Sequence, residues 1–215
     1  MRVDPDFPLA REGLPFIAAG LAVAAIGGGF GLAWCMALGL GWAAACAFFF
    51  RNPRRLAPSE PGLVVAPADG KVIAIAECPE PTFLRRPMRR VSIFLSVLDV
   101  HVNRAPIAGT VMGTHYTPGK FCLAYRPEAS ACNERNAVWL RSVEGHDCVY
   151  VQVAGAVARR IVSYAETGKV FARGERVGII RFGSRTDCYL PLTWPVEVAM
   201  GAMVRGGKTI LARVH

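Results

Sequence analysis

The sequence predicts a mainly β domain, a compact barrel or sandwich, carried behind an N-terminal hydrophobic helical membrane segment. Two observations predict it. Residues 14–50 contain no Asp, Glu, Lys or Arg, whereas the residues after them have the composition of a water-facing domain. From residue 62 onward helical periodicity is scarce. Short runs rich in Val, Ile and aromatic residues recur between Gly and Pro, the pattern of many short strands joined by turns.

Residues 1–13 are polar with mixed charges; they lack the basic start of a signal peptide, and the apolar run behind them is too long for one. About 20 apolar residues cross a bilayer, so residues 14–50 form either one tilted span or a hairpin of two short helices. A hairpin would turn at Gly27-Gly28-Gly29 or Gly39-Leu40-Gly41. The abundance of Gly and Ala permits close helix packing in lipid. Arg51, Arg54 and Arg55 follow at once and, by the positive-inside rule, place the rest of the chain on the cytoplasmic side of the cell membrane. Residues 51–61 are a basic, Pro-rich linker, and residues 62–215 make the β-rich domain.

Within that domain Val64-Val65 and Val72-Ile73-Ala74-Ile75 flank a turn at Pro67-Ala68-Asp69-Gly70. Further strands are expected at residues 91–97, 110–114, 137–143, 148–153, 160–162, 177–181 and 196–200. A helix is expected only around 157–164. Residues 78–90 read as a basic loop, either solvated or touching a membrane through Phe83, Leu84 and its arginines. The Gly-turn-strand units at 68–72, 107–111 and 168–178 resemble the barrel-sandwich of biotin and lipoyl carrier domains. The exposed hairpin-tip lysine of a carrier is missing.

The formal net charge of +9 calls for an anionic partner. Beside a hydrophobic segment, an anionic lipid surface is the simpler choice, and the chain carries no nucleic-acid-binding motif. The seven cysteines include no C-x-x-C pair. They read as small buried hydrophobes in a reducing compartment, with neither a disulfide framework nor a metal site.

Candidate chemistry rests on few residues. Gly183-Ser184, inside Arg181-Phe182-Gly183-Ser184-Arg185-Thr186-Asp187, is by itself a turn signal between two apolar segments. Of the four histidines, His146 sits in a turn and His215 is terminal, while His115 is open to either a surface or a site role. His101 follows an apolar strand and an Asp, where a strand end can aim it into a site. Taken alone, such a histidine is more often structural, and Asp69 taken alone is a turn residue.

Company changes the weight of these residues. Pro67-Ala68-Asp69-Gly70, then Phe94-Leu95-Ser96-Val97-Leu98-Asp99-Val100-His101-Val102-Asn103-Arg104, then Asn133-Glu134-Arg135, then Gly183-Ser184 follow in order. From about Phe49 to the C-terminus the chain resembles phosphatidylserine decarboxylase of the short bacterial and archaeal type. The resemblance implies a proenzyme that cuts itself between Gly183 and Ser184 and turns Ser184 into a pyruvoyl cofactor. Ser184 Oγ attacks the Gly183 carbonyl to give an ester. β-Elimination then releases the Gly183 carboxylate, and hydrolysis of the dehydroalanine with loss of ammonia leaves the pyruvoyl. The resemblance makes His101 and Asp69 catalytic along with Ser184, and makes the mature protein a heterodimer of residues 1–183 (β chain) and 184–215 (α chain), with a higher oligomer open. It implies decarboxylation of phosphatidylserine in an anionic membrane to phosphatidylethanolamine and CO₂ through a Schiff base, a carbonyl serving as electron sink.

Three positions depart from the long form of that family. Phe182 stands for a Leu, Arg185 for a Thr, and Arg104 for a second histidine. Arginine takes no proton at neutral pH, so the cleavage base is His101 or another group. Asn133-Glu134-Arg135 matches without an assigned role, and a structural ion pair is the equal alternative. Two other functions stay open: a pyruvoyl decarboxylase of a soluble amino acid, disfavoured by the apolar N-terminus, and a non-catalytic membrane-bound barrel-sandwich adaptor, which would remain one chain.

Overall fold

The computed structural model of the chain describes residues 7–120, 122, 125, 132–155, 160–181 and 184–214. Strand exceeds helix in it, 39% to 19%, so the molecule is mainly β as the composition predicts. The chain divides into two compact units, Met1–Arg54 and Arg55–His215.

In the first unit the apolar run breaks into two helices, α1 (Leu14–Gly29) and α2 (Ala33–Phe49). The turn between them occupies residues 30–32, where Gly31 takes φ +68°, a conformation that costs a glycine little. The helices run antiparallel with small residues in the seam. A Cβ on Gly20 would lie 2.9 Å from the Ala43 nitrogen, and one on Gly27 2.7 Å from the Met36 nitrogen. Such contacts let the backbones approach as they do in lipid-embedded pairs. Outside the seam Phe30, Trp34 and Leu38 are exposed, and neither helix has a polar face. Arg11–Gly29 is long and apolar enough to cross a membrane, and Ala33–Phe49 is a shorter apolar helix. Leu9 bridges to Arg51, so both ends of the hairpin emerge together.

The second unit holds thirteen strands among its described residues. They are β1 (Leu63–Val65), β2 (Gly70–Pro79), β3 (Pro87–Leu95), β4 (Val102–Arg104), β5 (Gly109–Thr117), β6 (Arg135–Arg141), β7 (Asp147–Val153), β8 (Ile161–Ser163), β9 (Val170–Phe171), β10 (Arg176–Ile180), β11 (Ser184–Leu190), β12 (Met203–Val204) and β13 (Ile210–Arg213). An eight-stranded sheet in the order β12-β2-β3-β11-β7-β6-β5-β9 curls into a half-barrel. The sheets β4-β10-β8 and β1-β13 are smaller, and the paired strands are antiparallel throughout.

Alternation along the strands builds the core. Val91 and Ile93 of β3, Val138 and Leu140 of β6, Cys148 and Tyr150 of β7, and Cys188 and Leu190 of β11 share the inner face and are buried together. The outer face of the same strands carries a second cluster of Met88, Val149, Val151, Val153 and Tyr189.

Three local expectations are corrected. The loop expected at residues 78–90 is shorter, residues 80–86, because β2 runs to Pro79 and β3 starts at Pro87. Between them the buried Glu80 carboxylate accepts from the amides of Thr82, Phe83 and Leu84 at 2.7–2.9 Å and stiffens the bend. Phe83 and Leu84 pack on the outer cluster, Phe83 with its ring 5.9 Å from Trp139. The stretch around 157–164 contains strand β8 at Ile161–Ser163, because its β-branched residues pair with β10; residues 156–159 lie outside the described residues. Residues 196–200 form no strand, only an isolated bridge from Val196 to Ala212.

Candidate functional site

Ser184 is the first residue of β11, the strand held between β3 and β7. It lies opposite Leu95 and is fully buried. Its Oγ has no hydrogen-bond partner among the described residues, although buried hydroxyls as a rule find one. Gly183 and Phe182 lie outside the described residues.

His101, the residue just before β4, reaches the same neighbourhood. The Ile180 amide, at the end of β10, donates to the His101 carbonyl at 3.4 Å, and Ser184 follows Ile180 by four residues. His101 is fully buried. Its Nδ1 lies 3.0 Å from the Asp99 carbonyl oxygen, which can only accept. That bond puts the proton of a neutral ring on Nδ1 and the basic lone pair on Nε2. The Asp99 carboxylate is used elsewhere, accepting from the Ser96 amide and hydroxyl at 2.8 Å each and closing the turn that delivers His101.

Asp69 ends the turn that leads into β2. Gly70 takes φ +143°, and a Cβ there would collide with the Phe94 carbonyl, so only glycine lets β2 start this close to β3. Lys71 faces Phe94 and Phe94 faces Arg185, which sets Asp69 about two strand spacings, roughly 10 Å, from the start of β11. The Asp69 carboxylate binds both terminal nitrogens of Arg55 and accepts from the Gly206 amide at 2.8 Å. The structure thus brings His101 to the chain segment that feeds Ser184 and sets Asp69 in a neighbouring ion-pair cluster.

The two departures at arginine have structural explanations. Arg104 donates to the Gly174 carbonyl at 3.0 Å. Burial first, then Arg55, pushes its pKa down to about 10, with Asp69 opposing and Arg176 adding to the fall. It stays a cation at neutral pH. Arg185 points to the outer face, away from Ser184. There it forms a buried bidentate pair with Asp187, Nε to Oδ1 at 2.6 Å and Nη2 to Oδ2 at 3.0 Å, and also donates to Ser92 Oγ at 3.1 Å.

Asn133 is a clamp. Its amide nitrogen donates to the Cys122 and Ala154 carbonyls at 2.8 and 2.7 Å, and its oxygen accepts from the Cys122 amide at 2.8 Å. Desolvation first, then the Glu134 charge and a hydrogen bond to its carboxylate, raises the pKa of the Tyr116 phenol.

Further polar residues on the inner face were not singled out by sequence. Towards the Ser184 end, the apolar lining gives way to Thr186, Gln152 and Asn136, which stand side by side on β11, β7 and β6. Asn136 Nδ2 donates to Gln152 Oε1 at 3.3 Å, and Gln152 Nε2 donates to Asn103 Oδ1 at 2.8 Å, tying the half-barrel to β4. Each of these side chains is buried. A cavity of about 790 Å³ lies elsewhere, bordered by Ser142, Glu144, His146, Arg173 and Trp194. His146 precedes β7, whose far end at Val153 faces Arg185, so the cavity is roughly 20 Å of strand away from Ser184.

The profile of the family described as phosphatidylserine decarboxylase matches residues 42–212. The chain belongs to the phosphatidylserine decarboxylase family. This is a family of carboxy-lyases whose members named below are proenzymes. The phosphatidylserine decarboxylase proenzyme of Nocardia farcinica is 48% identical over 208 residues, covering 95% of this chain and 87% of the relative. That of Mycobacterium tuberculosis is 49% identical, covering 95% and 89%, and that of Rhodococcus erythropolis 47% over 210 residues, covering 96% and 88%. The decarboxylase-family match takes in β1 to β12 and most of β13, and with them Asp69, His101 and Ser184.

Proposed function

We propose that the chain is a membrane-associated, self-cleaving phosphatidylserine decarboxylase, converting phosphatidylserine to phosphatidylethanolamine and CO₂ with a pyruvoyl group made from Ser184. The observation that carries this reading is Ser184 itself: fully buried, preceded in sequence by Gly183, with an Oγ that no described residue binds. A structural serine at a strand start would spend that hydroxyl on a neighbour. The residues fit the group. When formed, it supplies the carbonyl that draws electrons from the breaking carbon–carbon bond.

The chain's own residues do the rest. His101 Nε2 takes the Ser184 proton in maturation and serves as acid–base group in the decarboxylation. Asp69 is the carboxylate of the set, acting through the field of its cluster; the turn that carries it is joined to β4 by the Arg104 amide donating to the Pro67 carbonyl at 2.8 Å. The cut leaves two chains, residues 1–183 and 184–215. The smaller would hold β11, β12 and β13, each laddered to a strand of the larger: β3 and β7, β2, and β1. That interleaving supports a lasting heterodimer.

The helical hairpin supports anchorage in the cell membrane. Helices apolar on every face belong within the bilayer rather than along its surface. With Arg11 before the hairpin and Arg51, Arg54 and Arg55 after it, the catalytic unit belongs on the cytoplasmic side. The test is release of CO₂ from carboxyl-labelled phosphatidylserine in vesicles. The wild type is expected to release it and Ser184→Ala to release none; equal release from both refutes the proposal.

A further inference from the structure

We propose that Asn103 is the oxyanion donor of self-cleavage, its amide N–H set to stabilise the charge that forms when Ser184 Oγ attacks. The inference rests on the self-cleavage reading above and assigns a residue that reading leaves out. Three buried polar atoms lack a partner among the described residues in this region: Ser184 Oγ, Thr186 Oγ1 and Asn103 Nδ2. Asn103 is fully buried on β4, two residues after His101. An orphaned buried polar atom is destabilising, and three in one region call for a role.

The hydrogen-bond chain orients the amide. Asn136 donates to Gln152 and Gln152 donates to Asn103 Oδ1, so the Asn103 oxygen is engaged and its NH₂ is the donor end left over. Gly178 lies opposite Asn103 on β10, and a Cβ there would come within 3.0 Å of Gln152 Nε2; the missing side chain lets the Gln152 amide reach Asn103. Gln152 stands in register with Thr186, which shares its face of β11 with Ser184. The spare donor therefore belongs to the polar end of the barrel interior where Ser184 Oγ lies.

The step balances without a co-reactant. Ser184 Oγ bonds to the carbonyl carbon attached to the Ser184 nitrogen, its proton passes to a base, and the carbonyl electron pair moves onto oxygen. Asn103 Nδ2–H donates to that oxyanion. Collapse breaks the carbon–nitrogen bond, and the proton goes to the departing amine, leaving an ester. A preorganised donor of this kind is worth about 100-fold or more in rate.

The test follows cleavage of the full-length proenzyme on denaturing gels, with melting temperature alongside. Asn103→Asp keeps the oxygen that accepts from Gln152 but puts an acceptor-only carboxylate where the donor stood; it should cleave at least about 100-fold more slowly. Asn103→Ser, which retains a hydroxyl donor, should cleave faster than Asn103→Ala at a similar melting temperature. Native-rate cleavage by Asn103→Asp, or equal rates for the Ser and Ala variants, overturns the proposal. A wild-type chain that never cleaves would instead overturn the reading beneath it.

Discussion

Arg55 Nη2 lies 2.8 Å from Asp69 Oδ2, and the two side chains are respectively 9% and 13% exposed, which makes Asp69 the counter-charge of a buried arginine group. Arg104 and Arg176 belong to the same group: burial first, then Arg55 and Arg176, lowers the pKa of Arg104, and Asp69 opposes them. Asp69→Asn therefore does more than slow cleavage. Removing one partner of a buried pair costs about 3 kcal/mol or more, a fall in melting temperature of roughly 6 °C or more for a unit of this size. Calorimetry checks it; an unchanged melting temperature would mean that the arginines do not depend on this carboxylate.

Tyr150 buries a hydroxyl that has no partner among the described residues. Burial first, then Cys148, pushes its pKa up, and burial first, then Asp187, pushes Tyr189 up to about 12. Both phenols keep their protons in the folded chain at pH values where the unfolded chain has lost them. Their contribution to stability is complete below about pH 10 and is lost as pH rises further. Tyr150→Phe should match or exceed the wild type by about 1 kcal/mol at pH 7 and lose less stability between pH 9 and 11. Urea midpoints at the three pH values decide it, and a lower midpoint at pH 7 contradicts the expectation.

His101→Ala should accumulate uncut proenzyme, since Nε2 of this ring is the proposed acceptor of the Ser184 proton. Gel bands over time report it. Normal maturation followed by loss of decarboxylation would confine His101 to catalysis, and native rates in both would make it a structural strand-end histidine.

Much of this architecture was legible because β-branched runs mark strands wherever they are buried: β3, β6, β7 and β10 fall close to where composition places them. Residues 196–200 mislead because Val196 and Val198 are apolar and yet only Val196 finds a bridge; the neighbouring pairings are taken by β12 and β13 behind it. The motif residues Asp69, His101 and Ser184 could be read one by one. Asn103, Gln152, Asn136 and Thr186 could not. Each is an ordinary polar residue in a strand until the register shows that the inward positions of β6, β7 and β11 all turn polar at the same end. That coincidence belongs to the pairing of strands distant in sequence.

The hairpin of α1 and α2 should hold the protein in membranes. Deleting residues 1–50 should move most of the protein to the soluble fraction, with remaining binding removed by salt because it comes from surface charge. Retention of the truncated protein through both high-salt and carbonate washes would place the anchor elsewhere.

The most direct measurement is the intact mass of the purified protein under denaturing conditions. Cleavage at Gly183–Ser184 predicts two chains, the smaller beginning at residue 184 with a pyruvoyl in place of the serine amine and hydroxyl, and a Ser184→Ala protein that stays whole. A single wild-type chain of 23.2 kDa, or an Ala variant cut as fast as the wild type, would contradict it.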